Sequence, residues 1–152
     1  MDEVKAVKTV IKALSIAPGF SDYIAAQGRI EDQEIGLITF YSAQRKELKR
    51  LEQSGELDPG YDYRIDVVDR FQGMERNIVI VSTVRSNKYN GIGFAKEIER
   101  INVAFSRARS LLIVIGNRDL FSTKYNYKQS IASMESIDIR QIEDLIKYGE
   151  DD

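Results

Sequence analysis

The sequence predicts an α/β domain with a mainly parallel sheet that is covered by helices on both faces. Several apolar runs are short and rich in β-branched residues, which indicates strands that are buried on both sides. Segments with helical spacing alternate with these runs, and such alternation is typical of a doubly wound fold. The predicted strands are residues 35–40, 77–84 and 111–117, with a more amphipathic fourth at 63–68.

Helices are predicted before, between and after these strands. At the start of the chain, apolar residues recur at helical spacing until Pro18 ends the pattern. Ser42 is suited to cap the helix that follows the first strand. The other expected helices are residues 20–27, 95–109 and 137–148, while 28–34 reads as a polar linker. We therefore expect a main domain at residues 1–121 and a C-terminal extension at 122–152 that ends in a helix.

Composition excludes several kinds of site. The chain of 152 residues is 43% hydrophobic and 30% charged, which is typical of one folded domain. It has no cysteine and no histidine, so disulfides, thiolate or imidazole zinc sites and histidine bases are excluded, and no metal site is predicted. A net charge of −2 gives no global basic field, although a local group of arginines can still bind phosphate.

The sequence has no apolar run of the roughly 20 residues that a membrane helix needs, and its first residues lack a signal-peptide core. We therefore expect an intracellular protein, cytoplasmic or nuclear, without a membrane partner.

Polar residues follow the predicted strands, at the edge where open α/β sheets bind their ligands. Arg45 falls in the first turn of the helix after the first strand. A positive charge there opposes the helix dipole, so the position favours an arginine that meets a bound phosphate.

A second polar group lies in the connection between the strands at 63–68 and 77–84. About nine residues are too few for the usual helical crossover. Asp69 is a candidate N-cap and Gly73 a candidate left-handed stop, which leaves one turn of helix. Such a turn would hold Gln72 and Glu75 at the sheet edge.

The third group belongs to the helix predicted at 95–109. Its apolar residues share one face, namely Ile98, Ile101, Ala104, Phe105 and Ala108. Arg100, Val103 and Arg107 form a stripe on another face, because residues seven apart are only about 20° out of register. For any one arginine, a solvated helix face is the simpler interpretation. The order and spacing of all three groups favour a binding function.

Three segments, in order, resemble motifs IV, V and VI of superfamily 1 helicases, in the branch that contains the nonsense-mediated-decay RNA helicase and senataxin. They read IGLITFYSAQR, VDRFQGMERNIVIVSTVRSN and RINVAFSRARSLLIVIGN, and the resemblance covers about residues 35–117. It implies a second RecA-like domain, of the three-layer P-loop NTPase type. ATP and Mg²⁺ would be bound mainly by a preceding RecA-like domain of the same polypeptide, and single-stranded DNA or RNA would be the other partner.

The resemblance also implies residue roles. Arg45, in the PYxxQR pattern, would reach the γ-phosphate, and Arg107, the first arginine of SRAR, would be an arginine finger. Glu75, in the QGxE pattern, would bind the ribose. Gln72 and Gly73 would shape that loop, Arg100 would support motif VI or the domain interface, and Arg85, Ser86 and Asn87 would contact nucleic acid.

The chain departs from the family pattern at two positions. Phe40 replaces a common proline, and Val67 replaces a common threonine, which removes one hydroxyl that could contact nucleic acid. The sequence also lacks the P-loop pattern GxxxxGK[ST] and a Walker B acidic pair. We therefore expect the isolated chain to hydrolyse no ATP, and Met1 need not be the first residue of the natural protein.

Two alternatives remain open. One is a helicase-like module that binds nucleic acid or protein without motor activity, and the other is an unrelated α/β domain whose arginines only confer solubility. The branch suggests movement from 5′ to 3′ by analogy.

Overall fold

A computed structural model describes residues 3–83, 100, 103–116 and 139–150. Within them, one parallel sheet has four strands in the order β2-β1-β3-β4. This sheet confirms the predicted α/β fold and is consistent with a RecA-like domain. The strands are β1 (Ile35–Thr39), β2 (Tyr63–Val67), β3 (Arg76–Ser82) and β4 (Ala108–Ile115).

Helices precede and connect the strands. Residues 30–33 of the predicted polar linker form a short helix, and residues 100 and 103–105 are also helical. The helices are α1 (Glu3–Ile16), α2 (Phe20–Ala25), α3 (Ile30–Gln33), α4 (Ser42–Ser54), the 3₁₀ helix Val68–Phe71 and α5 (Ile139–Glu150). None of the helices in these described ranges is long and apolar enough to span a membrane.

Two apolar cores lie on opposite faces of the sheet, because side chains alternate along each strand. On the first face, Ile35 and Leu37 pack in a cluster with residues of α1 and α4. On the second face, Ile38 and Phe40 pack in a cluster that includes Ala104 and the 3₁₀ helix. Every residue of β1 and β3 is buried, as predicted for strands that are covered on both faces. The same prediction is wrong for β4, an edge strand whose residues are all exposed or only partly buried.

Gly36 creates the space that the second face needs. A Cβ atom at this position would lie 3.3 Å from Val79 Cγ2 and 3.5 Å from the ring of Phe71. Phe71 itself is fully buried. The missing side chain therefore lets the 3₁₀ helix lie directly against β1.

Both predicted helix caps are wrong. Ser42 is the first residue of α4, whose N-cap is Tyr41, and no side chain caps it. Asp69 lies inside the 3₁₀ helix, whose N-cap is Val67. Asp69 Oδ1 instead lies 3.5 Å from Arg100 Nε. The Asp69 carboxylate therefore pairs with the guanidinium of Arg100 instead of accepting a hydrogen bond from a nearby backbone N–H.

The helix predicted at 95–109 ends earlier than expected. Ser106 and Arg107 form a turn, and β4 begins at Ala108 rather than at residue 111. The Arg76 N–H donates to the Arg107 carbonyl at 3.0 Å, so pairing with β3 starts there and overrides the helical periodicity. The predictions for Ile98, Ile101 and residues 84–87 lie outside the described part of the chain.

Candidate functional site

The predicted site residues lie at two different edges of the sheet. Thr39 is in register with Val67 and Ser82 at the carboxyl edge, while Arg76 and Ala108 pair at the amino edge. Since a strand rises about 3.3 Å per residue, β3 separates the two edges by roughly 20 Å. The expectation that all three polar groups follow carboxyl ends is therefore wrong. A connection between parallel strands must return to the amino edge, and its last residues lie there.

Arg45 lies at the carboxyl edge, in the first turn of α4 as predicted. Its Nε donates to Asp66 Oδ1 at 3.0 Å, and 23% of its side chain is exposed. Asp66 is almost completely buried, with only 5% of its side chain exposed. The negative charge that compensates this arginine near the helix start is therefore a carboxylate of the protein itself.

Asp66 receives two further arginines. Arg64 Nη2 lies 3.3 Å from Oδ2, and Arg70 Nε lies 3.9 Å from Oδ1. The Val67 N–H also donates to Oδ1 at 3.0 Å. Three guanidiniums around one carboxylate leave this corner of the domain positively charged. Sequence analysis missed Asp66, although its position between Ile65 and Val67 could have placed it on the face opposite the first core.

Arg100 joins β1 to the 3₁₀ helix at the same edge. Its guanidinium lies 5.2 Å from the centroid of the Phe40 ring, and its Nη2 donates to the Phe40 carbonyl. Together with the ion pair to Asp69, these contacts hold the two segments together. The aromatic residue that stands in place of the common proline is therefore a direct partner of Arg100.

Gln44 links α4 to the end of β3. This buried side chain donates from Nε2 to Ser82 Oγ at 2.6 Å. The next residue, Thr83, donates from Oγ1 to the Ile115 carbonyl of β4 at 2.8 Å. A series of polar contacts therefore crosses the carboxyl edge, beside Arg45, and sequence analysis did not find it.

Arg107 lies at the amino edge, in the turn before β4. Its Nε donates to the Val103 carbonyl at 3.1 Å, and its Nη2 donates to Ser106 Oγ at 2.8 Å. A longer contact of 3.4 Å joins Nη1 to the Met74 carbonyl. Because Val103 is partly buried and Arg107 follows the helix, the expected stripe of two aligned guanidiniums does not form.

The loop before β3, whose Met74 carbonyl contacts Arg107, carries the other predicted residues. Gly73 has a φ of 76°, which confirms the left-handed conformation expected of it. Gln72 and Glu75 are both exposed. The structure therefore brings this loop and Arg107 together, and it places Arg45 and Arg100 toward the other edge.

Arg76 holds Glu75 and Arg107 beside each other. Its side chain is buried, donates from Nη1 to the Glu75 carbonyl at 2.8 Å and lies 3.1 Å from Glu34 Oε1. Its backbone N–H donates to the Arg107 carbonyl. Sequence analysis did not identify these contacts, since nothing in the sequence around Arg76 distinguishes it from a surface arginine.

These side chains have the chemistry to bind a nucleotide. Guanidiniums are suited to phosphate oxygens, and an exposed carboxylate is suited to ribose hydroxyls. In the described ranges, no group of three or more acidic residues could hold a metal ion. The described part of the chain therefore offers arginines and an exposed carboxylate at the sheet edges, without a group of acidic ligands for a metal ion.

Several known proteins are similar in sequence to part of this chain. Residues 1–119 match a family model described as "AAA domain". "Regulator of nonsense transcripts 1" of Dictyostelium discoideum is 45% identical over 92 residues, which is 59% of this chain and 7% of the relative. "DNA polymerase alpha-associated DNA helicase A" of Saccharomyces cerevisiae is 40% identical over 114 residues, which is 73% of this chain and 16% of the relative.

A third relative is "ATP-dependent helicase NAM7" of Saccharomyces cerevisiae, 37% identical over 91 residues, which is 58% of this chain and 9% of the relative. The chain thus spans no more than 16% of the length of these three proteins. The family match, in contrast, covers most of the chain. The chain therefore belongs to the AAA domain family, within the superfamily 1 helicase branch of the regulators of nonsense transcripts and senataxin.

Proposed function

We propose that this chain is the second RecA-like motor domain of an ATP-dependent DNA or RNA helicase. One observation carries the proposal: Arg76 ties together Glu75 and Arg107, the residues expected at the ribose and at the γ-phosphate. The name of the yeast relative NAM7 supports ATP as the nucleotide. The main domain would comprise residues 1–121, with residues 122–152 as an extension, in a protein of the cytoplasm or nucleus.

Arg107 is proposed to act as an arginine finger across a domain cleft. A guanidinium remains charged at every physiological pH and stabilises the negative charge that develops on the transferred phosphoryl group. Such a residue contributes about a thousandfold or more in rate. The contacts to the Val103 and Met74 carbonyls would fix the guanidinium before ATP arrives.

The other site residues are proposed to orient the nucleotide. The carboxylate of Glu75 would accept hydrogen bonds from the ribose. The γ-phosphate role predicted for Arg45 is an alternative to that of Arg107, because the two side chains lie at opposite edges of the sheet. Gln72 and Gly73 would shape the ribose loop, and Arg100 would stiffen the support between β1 and the 3₁₀ helix.

A preceding RecA-like domain would hold the triphosphate and Mg²⁺ through its Walker A and Walker B residues. Placing the arginines on a separate body couples hydrolysis to closure of the cleft, and closure moves the protein along a strand. Arg85, Ser86 and Asn87 follow β3 in sequence and are proposed to contact that strand of DNA or RNA.

The test is strand-stimulated ATP hydrolysis by the natural protein that carries this chain, with Arg107→Ala compared to Arg109→Ala. Arg109 belongs to the same SRAR sequence, but it pairs with Asp32 at 2.6 Å and serves as the matched control. We expect Arg107→Ala to lose about a thousandfold in kcat while nucleotide still binds, and Arg109→Ala to change kcat by less than fivefold.

Inert wild-type protein, folded and bound to nucleic acid, would refute the motor function and favour the interaction module. Equal losses in the two variants would refute the role of Arg107 alone.

A further inference from the structure

We infer that Glu34 is a positioning residue for the ribose contact of Glu75 and that it acts through Arg76. The inference rests on the proposed function, in which the Glu75 carboxylate binds the ribose. Glu34 Oε1 lies 3.1 Å from Arg76 Nη2, and Arg76 Nη1 donates to the Glu75 carbonyl at 2.8 Å. Neither the helicase resemblance nor the relatives' names assign a role to Glu34.

The first step concerns the freedom of Glu75. Its side chain is exposed, and no hydrogen bond or ion pair joins that side chain to another residue in the described ranges. The path of its backbone therefore decides where the carboxylate can reach. The Arg76 guanidinium holds this backbone, because it binds the Glu75 carbonyl.

The second step concerns the rigidity of Arg76. Only 9% of its side chain is exposed, and its stem lies over Gly36, where a Cβ atom would be 3.5 Å from Arg76 Cγ. A guanidinium is a rigid planar group, so contacts at both of its Nη atoms fix its plane. One of these contacts is Glu34, which directly precedes β1. Glu34 therefore connects the loop at Glu75 to the start of a central strand.

The third step concerns the anchor itself. Glu34 follows α3, and its N–H donates to the Glu31 carbonyl at 3.3 Å. Asn77 Nδ2 donates to the Asp32 carbonyl of the same helix at 3.3 Å, which joins α3 to β3. The backbone that carries Glu34 is thus held from two sides, independently of Arg76.

The fourth step concerns stability. Arg76 Nε is buried and has no hydrogen-bond partner among the residues that the structure describes. Desolvation opposes the attraction within a buried ion pair, and an unpaired buried N–H adds a further cost. Stability alone therefore does not account for the pair of Glu34 and Arg76, whereas its hold on the Glu75 carbonyl does.

The test compares ATP with 2′,3′-dideoxy-ATP in strand-stimulated hydrolysis by the natural protein that carries this chain. The second substrate lacks the hydroxyls that Glu75 would bind, so the ratio of the two kcat/KM values measures the ribose contact. We expect Glu75→Ala to lower this preference for ATP about tenfold, and Glu34→Gln to lower it about fivefold. The loss should appear mainly in the KM for ATP, since the ribose contact is already made in the ground state.

Three further variants make the test specific. In a Glu75→Ala background, Glu34→Gln is expected to change the preference by less than about twofold, because the positioned carboxylate is absent. Glu34→Asp keeps a charge beside the buried Arg76 but is one methylene shorter, so it should also lower the preference without leaving a buried cation unpaired. Glu31→Gln is the matched control, an exposed glutamate of α3, and should leave the preference within about twofold of wild type.

A measurement without ATP separates local positioning from a general loss of stability. In the nucleotide-free natural protein, we expect Glu34→Gln to accelerate hydrogen exchange about fivefold or more in peptides from residues 72–76 and to leave peptides from α4 unchanged. Unchanged exchange at residues 72–76, or equal acceleration in both regions, would overturn the inference whatever the enzyme does.

In the kinetic comparison, an unchanged preference in Glu34→Gln, or an equal loss in the Glu75→Ala background, would overturn the inference and leave the proposed function standing. If Glu75→Ala itself retains the full preference for ATP, the ribose role of Glu75 fails, and the inference fails with it.

Discussion

Arg107 and Arg109 are two residues apart, yet they have different surroundings. Arg107 precedes β4 and contacts backbone carbonyls of the helix and of the loop at Met74. Arg109 lies within β4 and pairs with Asp32 in α3. The change from turn to strand at Ala108 therefore separates one candidate catalytic arginine from one structural arginine.

The buried phenol of Tyr63 makes the free energy of unfolding depend on pH in the alkaline range. Burial raises the pKa of Tyr63 above its ordinary value of 10.0, with nearby carboxylates such as Asp58 adding to the effect. The unfolded chain therefore loses this proton first as pH rises. The stability that the neutral phenol contributes is fully present below pH 10 and is lost as pH increases through the raised pKa.

We therefore predict that Tyr63→Phe lowers the free energy of unfolding by about 1 kcal/mol at pH 8, because the hydrogen bond to the Asp58 carbonyl is lost. The difference from wild type should shrink between pH 10 and 11.5. Denaturant unfolding at several pH values measures this, and a difference that stays constant would contradict the prediction.

At the scale of elements, burial on both faces makes β1 and β3 recognisable from sequence. Continuous apolar runs predicted both strands to within two residues at each end. The boundary at Ala108 was wrong because helical periodicity continues through Ile101, Ala104 and Ala108, whereas pairing with β3 decides the conformation. α3 was missed because four residues, three of them polar, are too few to show a helical periodicity.

Residues of the candidate site could be predicted only where they belong to a short sequence motif of the family. The resemblance predicts roles for Arg45, Glu75 and Arg107, and these roles stay predictions. It could not indicate Asp66 or Arg76, because their roles depend on contacts between elements that are distant in sequence. Alternation along β2 could place Asp66 on a face but could not name its partner.

Gly36 allows a test of the packing between elements. We predict that Gly36→Ala lowers the free energy of unfolding by about 1–2 kcal/mol, because the new methyl group would press on Val79 and on the enclosed ring of Phe71. Gly28→Ala is the control, since a Cβ there meets no atom within 4 Å. Thermal or denaturant unfolding of both variants measures the two changes in the free energy of unfolding. Equal stability of the two would show that the contact between β1 and the 3₁₀ helix has room to adjust.

At the scale of the whole molecule, the site residues span the sheet from one edge to the other. Arg45 and Arg100 lie toward the carboxyl edge, and Glu75 and Arg107 lie at the amino edge. The 3₁₀ helix and the loop after it connect the two groups across the second face.

We predict that the isolated chain of 152 residues shows no ATP hydrolysis above that of Arg107→Ala and binds ATP weakly, because it has no P-loop to hold the phosphates. Purified wild-type chain and the variant should be assayed side by side, with and without single-stranded nucleic acid. Turnover that the wild type shows and the variant lacks would contradict the prediction.

The order of strands also has a consequence for how the domain folds. β1 pairs with β3, so that Ile35 meets Ile78, although α4 and β2 lie between them in sequence. Loop closure must precede these contacts, and parallel pairing of this kind is slow. During synthesis, β1 and β2 leave the ribosome before β3, and the unpaired edge of β1 is then a template for wrong partners. The period before β3 emerges is therefore when this domain is most exposed to aggregation.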